Sequence, residues 1–503
     1  MAHALAGKPV QEQDIIDVQT IVDAYFDNVP DMTNPTQLVS FGTSGHRGTS
    51  VDGTFTDLHV AAITQAICDG RKQFGATGPI FVGQDTHALS QPALVTVLEV
   101  LAGNGVTAMV DCDMAFVPTP SVSRAIIRYN EEHDDKADGI IITPSHNPPD
   151  NGGIKYNTII GGPADTVVTK WIEMRANEYL TAYCESEDFK LISIDNIEPT
   201  AQVPYDYKGL YVEELGDVIN MEAIKAAGPK VLVDTLGGSG ASYWNAIKER
   251  YGLDLTIIHD DYDRYGIVVS SGLISANTFL TLAARYLFTT RGWKNKGVGK
   301  TVVCTTMIDK WAADAEIPVY EVPVGFKYFS QLLFDGAIGI GGEESAGASF
   351  LKKDGTVWTT DKDGMIMALL SMEIMAVMGK SALKMADEFV EEFGNPSFGR
   401  IDAPCKKEQK QILKQMSAEL ITSTTVDGDP ITNIRTTSLY NDMPIDGVRV
   451  ETDKGWFVAR PSGTEDLYKI YGESYKGDLG LVALLTAGEE IVNAALNGTI
   501  ETE

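Results

Sequence analysis

Apolar runs of strand length alternate with helical patterns along most of the 503 residues of the chain. In three segments an apolar run ends in a polar turn with threonine and continues into a helical pattern: residues 78–86, 228–235 and 298–306. This order is typical of βα units on a largely parallel sheet. The three segments resemble diverged repeats of one unit. Their similarity is weak, and convergence explains it equally well. The pattern predicts an α/β fold.

The same pattern places several helix ends. Ser90 is expected to cap a helix that carries Pro92 in its first turn, since serine accepts from free amides and proline fits there. The glycines of residues 237–240 lead into a helix that is expected to end near Glu249. Met307 is expected to begin another helix.

The C-terminal part differs from the rest. Residues 448–458 have the character of a hairpin around Asp453, Lys454 and Gly455, and a last helix is expected near residues 481–496. This order favours a smaller α+β domain. A length of roughly 150 residues per domain predicts three or four domains. Composition places the breaks near Pro204, Ser275 and Pro396, and we therefore expect four segments: 1–203, 204–275, 276–395 and 396–503.

Charge and cysteine content limit the partners and the compartment. The chain has 70 acidic and 40 basic residues, a formal net charge of −30, and such a protein is repelled by nucleic acid and anionic membranes. The five cysteines are scattered without a CxxC spacing, which favours a reducing compartment over a zinc site. No run of about 18 apolar residues occurs. We expect a cytoplasmic protein whose anionic ligands meet a few converging basic residues.

Residues 143–149, Thr-Pro-Ser-His-Asn-Pro-Pro, are the most informative stretch. Their prolines exclude helical geometry and predict a stiff loop. The preceding apolar residues 139–142 are expected to form a buried strand, so Ser145 follows a strand's carboxyl end, where open α/β sheets place their chemistry. The alternative is a proline-rich surface turn.

A glycine-rich loop at residues 41–48 is a second candidate. Its glycines let the backbone approach a ligand, and His46 and Arg47 are expected to supply charge. Taken alone, it also fits a flexible turn.

The third candidate, residues 259–264, reads His-Asp-Asp-Tyr-Asp-Arg directly after an apolar strand pattern. Acidic residues two apart in an extended loop present their oxygens on one side and suit a hard cation such as Mg²⁺. Acidic clusters are more often solvated surface.

Two further loops suit a phosphorylated sugar. Residues 341–347 contain Glu343 and Ser345, a carboxylate and a hydroxyl that together accept from and donate to vicinal hydroxyl groups. Residues 460–465 read Arg-Pro-Ser-Gly-Thr-Glu, in which an arginine, two hydroxyls and a glycine amide suit a phosphate dianion.

Together these loops resemble the α-D-phosphohexomutase superfamily over residues 40 to 471. Four signatures stand in the family's order: the serine loop, the metal loop, the Gly-Glu-Glu-Ser sugar loop and the C-terminal phosphate loop. The motifs at 40–48, 143–149 and 342–349 look like the bacterial glucose-specific phosphoglucomutase branch, and phosphomannomutases and phosphoglucosamine mutases usually differ there. The resemblance implies four domains around a central cleft, three related α/β domains with mixed sheets and a C-terminal α+β domain that clamps phosphate.

The resemblance also implies an isomerase of glucose metabolism that works by phosphotransfer. Ser145, carried as a phosphoserine, would donate its phosphoryl group to glucose 1-phosphate or glucose 6-phosphate. The resulting glucose 1,6-bisphosphate, which is both intermediate and activator, would return its other phosphate to the serine. One Mg²⁺ per chain would neutralise charge between the phosphoserine and the aspartates.

The implied roles fall into three groups. The catalytic residues would be Ser145, His146, Arg47, Lys155 and Lys327, with both lysines as candidate general acids and bases or, alternatively, solvated lysines. The metal ligands would be Ser145, Asp261, Asp263 and His259. The substrate-binding residues would be Arg264, Glu343, Ser345, Arg460, Ser462, Gly463, Thr464 and Lys469.

The metal loop departs from the family pattern. Relatives begin this loop with a carboxylate where His259 stands, and imidazole favours softer divalent ions than Mg²⁺. Relatives also have further strand and helix elements before the aspartates, so the second domain is expected to be shortened, with less core and more exposed strand edge.

Three functions remain open at this stage. The first is an active phosphoglucomutase, and the second is a phosphomannomutase or another phosphohexomutase. The third is a catalytically impaired relative that binds phosphosugars with an altered metal loop. The sequence gives no oligomeric state.

Overall fold

The computed structural model describes residues 15–42, 44–183, 189–259, 274–463 and 467–497. It divides into two compact units. The first comprises residues 1–273 and 351–378, and the second comprises residues 274–350 and 379–503.

In chain order the elements up to residue 258 are α1 Val18–Asp27, β1 His46–Thr49, α2 Asp57–Gly70, β2 Ile80–Gln84, α3 Ser90–Gly103, β3 Ala108–Asp111, α4 Thr119–Glu132, β4 Asp138–Ile142, β5 Asn151–Asn157, α5 Thr166–Tyr183, β6 Gln202–Tyr205, α6 Tyr207–Val218, α7 Met221–Ala227, β7 Val231–Asp234, α8 Ala241–Tyr251 and β8 Leu255–Ile258. Later elements are α9 Ala276–Arg291, β9 Gly297–Thr301, α10 Met307–Asp314, β10 Val319–Val322, α11 Lys327–Phe334, β11 Ile338–Gly342, β12 Ala348–Phe350, α12 Gly364–Met378, α13 Ala382–Phe393, β13 Ser397–Pro404, α14 Lys407–Lys414, β14 Thr425–Val426, β15 Asp429–Thr437, β16 Pro444–Thr452, β17 Gly455–Pro461, β18 Leu467–Ser474 and α15 Gly477–Leu496.

The first sheet has the order β1-β5-β4-β2-β3-β6. Strands β4, β2, β3 and β6 are parallel, whereas β5 is antiparallel to both β4 and β1. Every residue of β2 and β4 is buried, because helices cover both faces of the sheet. Ile140 packs into the core beneath α2 and α3, and its neighbour Ile141 packs against α4 on the other face. The strand expected at residues 139–142 is therefore present.

The second sheet, also in the first unit, is small. Among the described residues, which omit 260–273, it consists of β7 and β8 in parallel, and its helices are α6, α7 and α8. Leu232 in β7 is 63% exposed. Helix α12 joins this unit by packing against α7.

The second unit contains the other two sheets. The order of the third is β10-β9-β11-β12, with only β12 antiparallel to its neighbour. The fourth is antiparallel throughout, with the order β13-β18-β17-β16-β15-β14. Strands β16 and β17 form the hairpin expected around residues 453–455.

Within the described residues, one helix, α15, is long and apolar enough by length and composition to cross a membrane. It lies on the fourth sheet, where Leu484 and Val492 pack against Phe457 and Ile470. Those contacts are typical of the core helix of a folded domain.

The α/β fold with mixed sheets is confirmed. The expected boundary after residue 203 falls inside β6, which pairs with β3 at the edge of the first sheet. Pro204 is tolerated there because β6 is an edge strand, which has a neighbouring strand on one side only and can keep a residue without an N–H. Residues 351–378 group with the first unit, although the expected third segment includes them. The four-domain division stays a proposal, and the shortening of the second domain stays a prediction.

Candidate active site

The serine loop leaves the first sheet at the carboxyl end of β4. The Ser145 N–H donates to Thr143 Oγ1 over 2.8 Å, and the Ser145 side chain is exposed. Its φ of 70° lies in the left-handed region, which costs a non-glycine residue on the order of 1–2 kcal/mol. Such strain concentrates at functional sites and turns the serine outward here.

Two cationic side chains meet at the Ser145 oxygen. Lys155 Nζ donates to Ser145 Oγ over 2.8 Å, and Arg47 Nη2 donates to the same oxygen over 3.2 Å. Lys155 stands on β5 opposite Ile141, and Arg47 stands on β1. The antiparallel strands therefore bring both cations to the loop that follows β4.

Close packing of β5 against this loop requires a glycine. A Cβ added to Gly153 would lie 2.5 Å from the Thr143 carbonyl oxygen and 2.7 Å from Pro144 Cα. Any larger residue at position 153 would push the loop away, so Gly153 sets the distance between the serine and β5.

Lys155 is almost completely buried. Burial lowers its pKa to about 8; the charge of Asp361 opposes this shift, and the charges of Arg47 and Lys362 add to it. A lysine with a pKa near neutrality can give and take a proton at physiological pH.

Three residues beside the serine, Asp85, His87 and Asn147, are not among the candidates expected from the sequence. Asn147 Oδ1 accepts from Arg47 Nη1 over 3.1 Å. His87 lies with Nε2 3.1 Å from the Asn147 carbonyl oxygen and with Nδ1 2.9 Å from Asp85 Oδ2. The feature that could have indicated Asp85 and His87 is their position directly after β2, which is the parallel neighbour of β4.

Burial opposes ionisation in the Asp85–His87 pair, but the contacts between the two residues outweigh it. Hydrogen bonding and charge from Asp85 raise the pKa of His87. His87 and Ser90 in turn lower the pKa of Asp85. Both shifts favour the ion pair.

His46 does not supply the charge expected of it. Its ring is buried and stacks on His59 at 5.2 Å, and both of its nitrogens contact main-chain atoms of Ser40 and Thr54. Burial lowers its pKa. The expectation was wrong because the glycines beside it let the chain fold over the ring.

Of the other residues expected near the serine, two are described. His146 is exposed directly after Ser145. His259 follows β8, is 43% exposed and places Nδ1 2.9 Å from Asp234 Oδ1. Asp261, Asp263 and Arg264 lie outside the described residues, as does Thr464.

In the second unit the sugar loop is the turn of the β11–β12 hairpin. Glu343 N–H donates to the Gly347 carbonyl over 2.8 Å, and the Glu343 side chain is buried whereas Ser345 is exposed. Burial, with Glu343 beside it, raises the pKa of Glu344. The hairpin thus presents two carboxylates and a hydroxyl.

The phosphate loop follows β17. Arg460 is nearly buried and stands directly opposite Lys469 of β18, so both cations project from one face of the sheet. Ser462 is buried, with its N–H bonded to the Leu467 carbonyl, and Gly463 is exposed.

Arg460 connects the loops of the second unit. Its charge acts against the burial that raises the pKa of Glu344, so it lies within electrostatic range of the sugar loop. Burial also raises the pKa of Tyr328, and the charge of Arg460 opposes that shift. Tyr328 follows Lys327, which begins α11 and lies 5.4 Å from the Tyr328 ring. Glu344, Arg460 and the start of α11 therefore share one region.

Three family models match the chain. They are the phosphoglucomutase/phosphomannomutase alpha/beta/alpha domain I at residues 38–182, the alpha/beta/alpha domain III at residues 275–393 and the C-terminal domain at residues 403–479. Each of the three matched segments contains at least one of the loops described above.

Two curated relatives are similar over most of their length. A phosphoglucomutase of Komagataeibacter xylinus is 42% identical over 539 aligned positions, which cover 97% of this chain and 97% of the relative. Phosphoglucomutase 1 of Saccharomyces cerevisiae is 26% identical over 87% of this chain and 88% of its own. The first alignment is longer than this chain, so that relative carries residues that this chain lacks.

Solved structures show the same fold. A putative phosphomannomutase from Thermus thermophilus aligns with a TM-score of 0.71 and 22% identity, covering 90% of this chain and 99% of its own. The phosphoglucomutase parafusin from Paramecium aligns with a TM-score of 0.70 and 18% identity, covering 94% of this chain and 97% of its own.

Proposed function

We propose that this chain, which belongs to the phosphoglucomutase/phosphomannomutase family, interconverts glucose 1-phosphate and glucose 6-phosphate through a phosphoserine at Ser145. The observation that carries the proposal is the meeting of Lys155 and Arg47 at one serine oxygen. Two cationic donors suit an oxygen that alternates between a hydroxyl and a phosphate dianion. The 42% identity to a phosphoglucomutase supports glucose as the sugar.

The first half-reaction transfers the phosphoryl group from the serine to the sugar. The free hydroxyl of the sugar phosphate attacks phosphorus in line with the serine oxygen, so a new P–O bond forms while the P–Oγ bond breaks. The hydroxyl loses its proton to a lysine base, for which Lys327 is a candidate. Ser145 Oγ leaves and takes a proton from Lys155, which already lies within hydrogen-bond distance. The second half-reaction reverses these steps from the other end of glucose 1,6-bisphosphate.

The remaining residues would bind the substrate. Glu343 and Ser345 would accept from and donate to the sugar hydroxyls. The phosphate that does not react would meet the C-terminal set: Arg460, Ser462, Gly463, Thr464 and Lys469. Arg264 and His146 are proposed beside the phosphoserine. Charge-assisted bonds from arginine are short and strong, so Arg460 is expected to contribute most of the phosphate affinity.

The family implies a divalent cation, and the available donors fit one. They are the Ser145 oxygen, the carboxylates of Asp261 and Asp263, and His259. Asp234 contacts the Nδ1 side of His259, a pairing that fixes the orientation of metal-binding imidazoles and leaves Nε2 for the ion. When bound, the cation neutralises charge on the phosphoryl group. Imidazole moves the preference of the site from Mg²⁺ towards Mn²⁺ or Zn²⁺.

The test is conversion of glucose 1-phosphate with Mg²⁺ and catalytic glucose 1,6-bisphosphate. Parallel assays with mannose and glucosamine phosphates decide among the sugars. Intact-mass analysis after incubation with glucose 1,6-bisphosphate should show one phosphate adduct on Ser145. Absence of both turnover and adduct with Mg²⁺, Mn²⁺ and Zn²⁺ would favour the catalytically impaired relative.

A further inference from the structure

The imidazole of His87 has hydrogen-bond acceptors on both sides. Nδ1 faces a carboxylate oxygen of Asp85 at 2.9 Å, and Nε2 faces the carbonyl oxygen of Asn147 at 3.1 Å. A neutral imidazole carries one N–H and cannot donate to both, whereas an imidazolium can. The geometry therefore selects the charged form of His87.

Asp85 is itself held in place. Its Oδ1 accepts from the Ser90 hydroxyl over 2.5 Å and from the main-chain N–H of His87 over 3.0 Å. Its own N–H donates to the carbonyl of Ile142, the last residue of β4. The backbone of Asp85 is thus anchored to the strand from which the serine loop departs, and Ser90 holds its carboxylate.

The bonds continue from His87 to the reacting oxygen. Asn147, whose carbonyl faces His87, accepts from Arg47 Nη1 through its side chain, and Arg47 Nη2 donates to Ser145 Oγ. Asn147 also donates to Asn151 Oδ1 over 3.0 Å, which fixes its amide orientation. A shift of the Asn147 backbone would move the acceptor that aims Arg47.

We propose that His87, held as an imidazolium by Asp85, is a positioning residue that fixes the serine loop and keeps Arg47 directed at the Ser145 oxygen. This inference rests on the proposed function of Ser145. It assigns to residues 85–87 a part in phosphoryl transfer, with no contact to the sugar. Loss of His87 should therefore slow transfer and leave sugar binding intact.

The test compares His87→Gln, His87→Arg and the control His133→Gln in the full chain. Glutamine keeps one neutral donor, and arginine keeps a permanent charge with several donors. His133 is an exposed histidine of the same unit, stacked on Tyr129, so its replacement controls for the loss of an imidazole. For each variant we would measure kcat, KM for glucose 1-phosphate, melting temperature and the rate at which Ser145 gains phosphate from glucose 1,6-bisphosphate.

For His87→Gln we expect kcat and the rate of serine phosphorylation to fall on the order of 10- to 100-fold, the effect of a small misplacement of a reacting group. KM should stay at its wild-type value, and the melting temperature of His87→Gln should fall because Asp85 loses its cationic partner. His87→Arg should recover most of the loss in kcat, and His133→Gln should be unchanged. Wild-type kcat in His87→Gln would overturn the proposal. Equal losses of kcat in His87→Gln and His87→Arg would also overturn it, because a permanent charge at position 87 would then not restore the direction of Arg47. A wild-type protein without serine phosphorylation would instead contradict the proposed function.

Discussion

The serine loop of the first unit and the sugar and phosphate loops of the second differ in their local charge: cations gather at the first, whereas carboxylates and cations are mixed at the second. Ser145 is surrounded by Lys155, Arg47 and, one residue further out, His87. The second unit places the carboxylate of Glu344, with Glu343 beside it, within range of Arg460. In a chain with a net charge of −30, the cations around Ser145 form a local concentration of positive charge.

The difference matches the two chemical tasks. A phosphoryl group in transfer carries negative charge on its oxygens and needs cations around it. A sugar ring presents neutral hydroxyls, which carboxylates accept, and only its distal phosphate needs a cation. The residues around Ser145, the first set, therefore suit bond making and breaking. The residues of the sugar and phosphate loops, the second set, suit recognition of the substrate. Changes in the first set should act on kcat, and changes in the second on KM.

Ser145→Ala should have the largest effect, because the oxygen that carries the phosphoryl group is removed. We expect turnover to fall on the order of 10⁴-fold or more, as for other lost covalent nucleophiles. Stability should not change, since alanine tolerates the left-handed φ of position 145 as well as serine does. Kinetics and intact-mass analysis measure both effects, with the exposed Ser193→Ala as control. Full activity in Ser145→Ala would contradict the covalent mechanism.

Lys155→Met should follow. Methionine fills the buried space of the lysine stem but cannot move a proton, so kcat should fall on the order of 10²- to 10⁴-fold. KM for glucose 1-phosphate should change little. Lys72→Met, at an exposed lysine of the same unit, is the matched control. If kcat is unchanged in Lys155→Met, the lysine is structural and the contrast between the two sets loses its kinetic meaning.

Arg460→Ala should have a smaller effect of a different kind. Loss of a charged hydrogen-bonding partner should cost about 1.5–3 kcal/mol, mainly as a higher KM. Some loss of kcat is also expected, because binding energy from the distant phosphate helps to orient the substrate. Arg460→Lys keeps the charge without the bidentate guanidinium, so its KM should lie between those of the wild type and Arg460→Ala. An unchanged KM would remove the C-terminal loop from substrate binding.

The sequence predicted the strands and the serine loop better than it predicted the surroundings of that loop. Residues 139–142 are apolar without interruption and lie in a strand that is buried on both faces, so β4 could be located from its pattern. Asp85 and His87 were missed because their closeness to Ser145 depends on the order of strands in the sheet. That order makes β2 and β4 neighbours although β3 stands between them in the chain.

Helix starts were less predictable. Helix α3 begins at Ser90 itself, with Leu89 as N-cap, because the Ser90 hydroxyl is directed to Asp85. Helix α15 begins at Gly477, four residues before the expected start. Propensity alone does not record such tertiary contacts.

The smallest effect is expected from a change in the metal loop of the first unit, at His259. His259 follows β8, one of the two strands that the described residues contribute to the second sheet, and its φ of 49° is a backbone conformation that aspartate adopts readily. His259→Asp should therefore fold and should place a third carboxylate among the expected ligands. Without a cation it would also set two carboxylates side by side, since Asp234 already lies against position 259.

These properties define the measurement. Mg²⁺ should raise the melting temperature of His259→Asp more than that of the wild type, because it relieves the repulsion. The Mg²⁺ concentration for half-maximal activity should fall several-fold, while Mn²⁺ and Zn²⁺ lose their advantage, since oxygen ligands favour the harder ion. Asp234→Asn in the same background is the control and should reduce the Mg²⁺-dependent rise in melting temperature. A better response to Mg²⁺ would show that the small sheet holds the loop correctly and that the imidazole limits the site. Inactivity of both proteins with every metal would show that the cations around Ser145 are not sufficient for transfer.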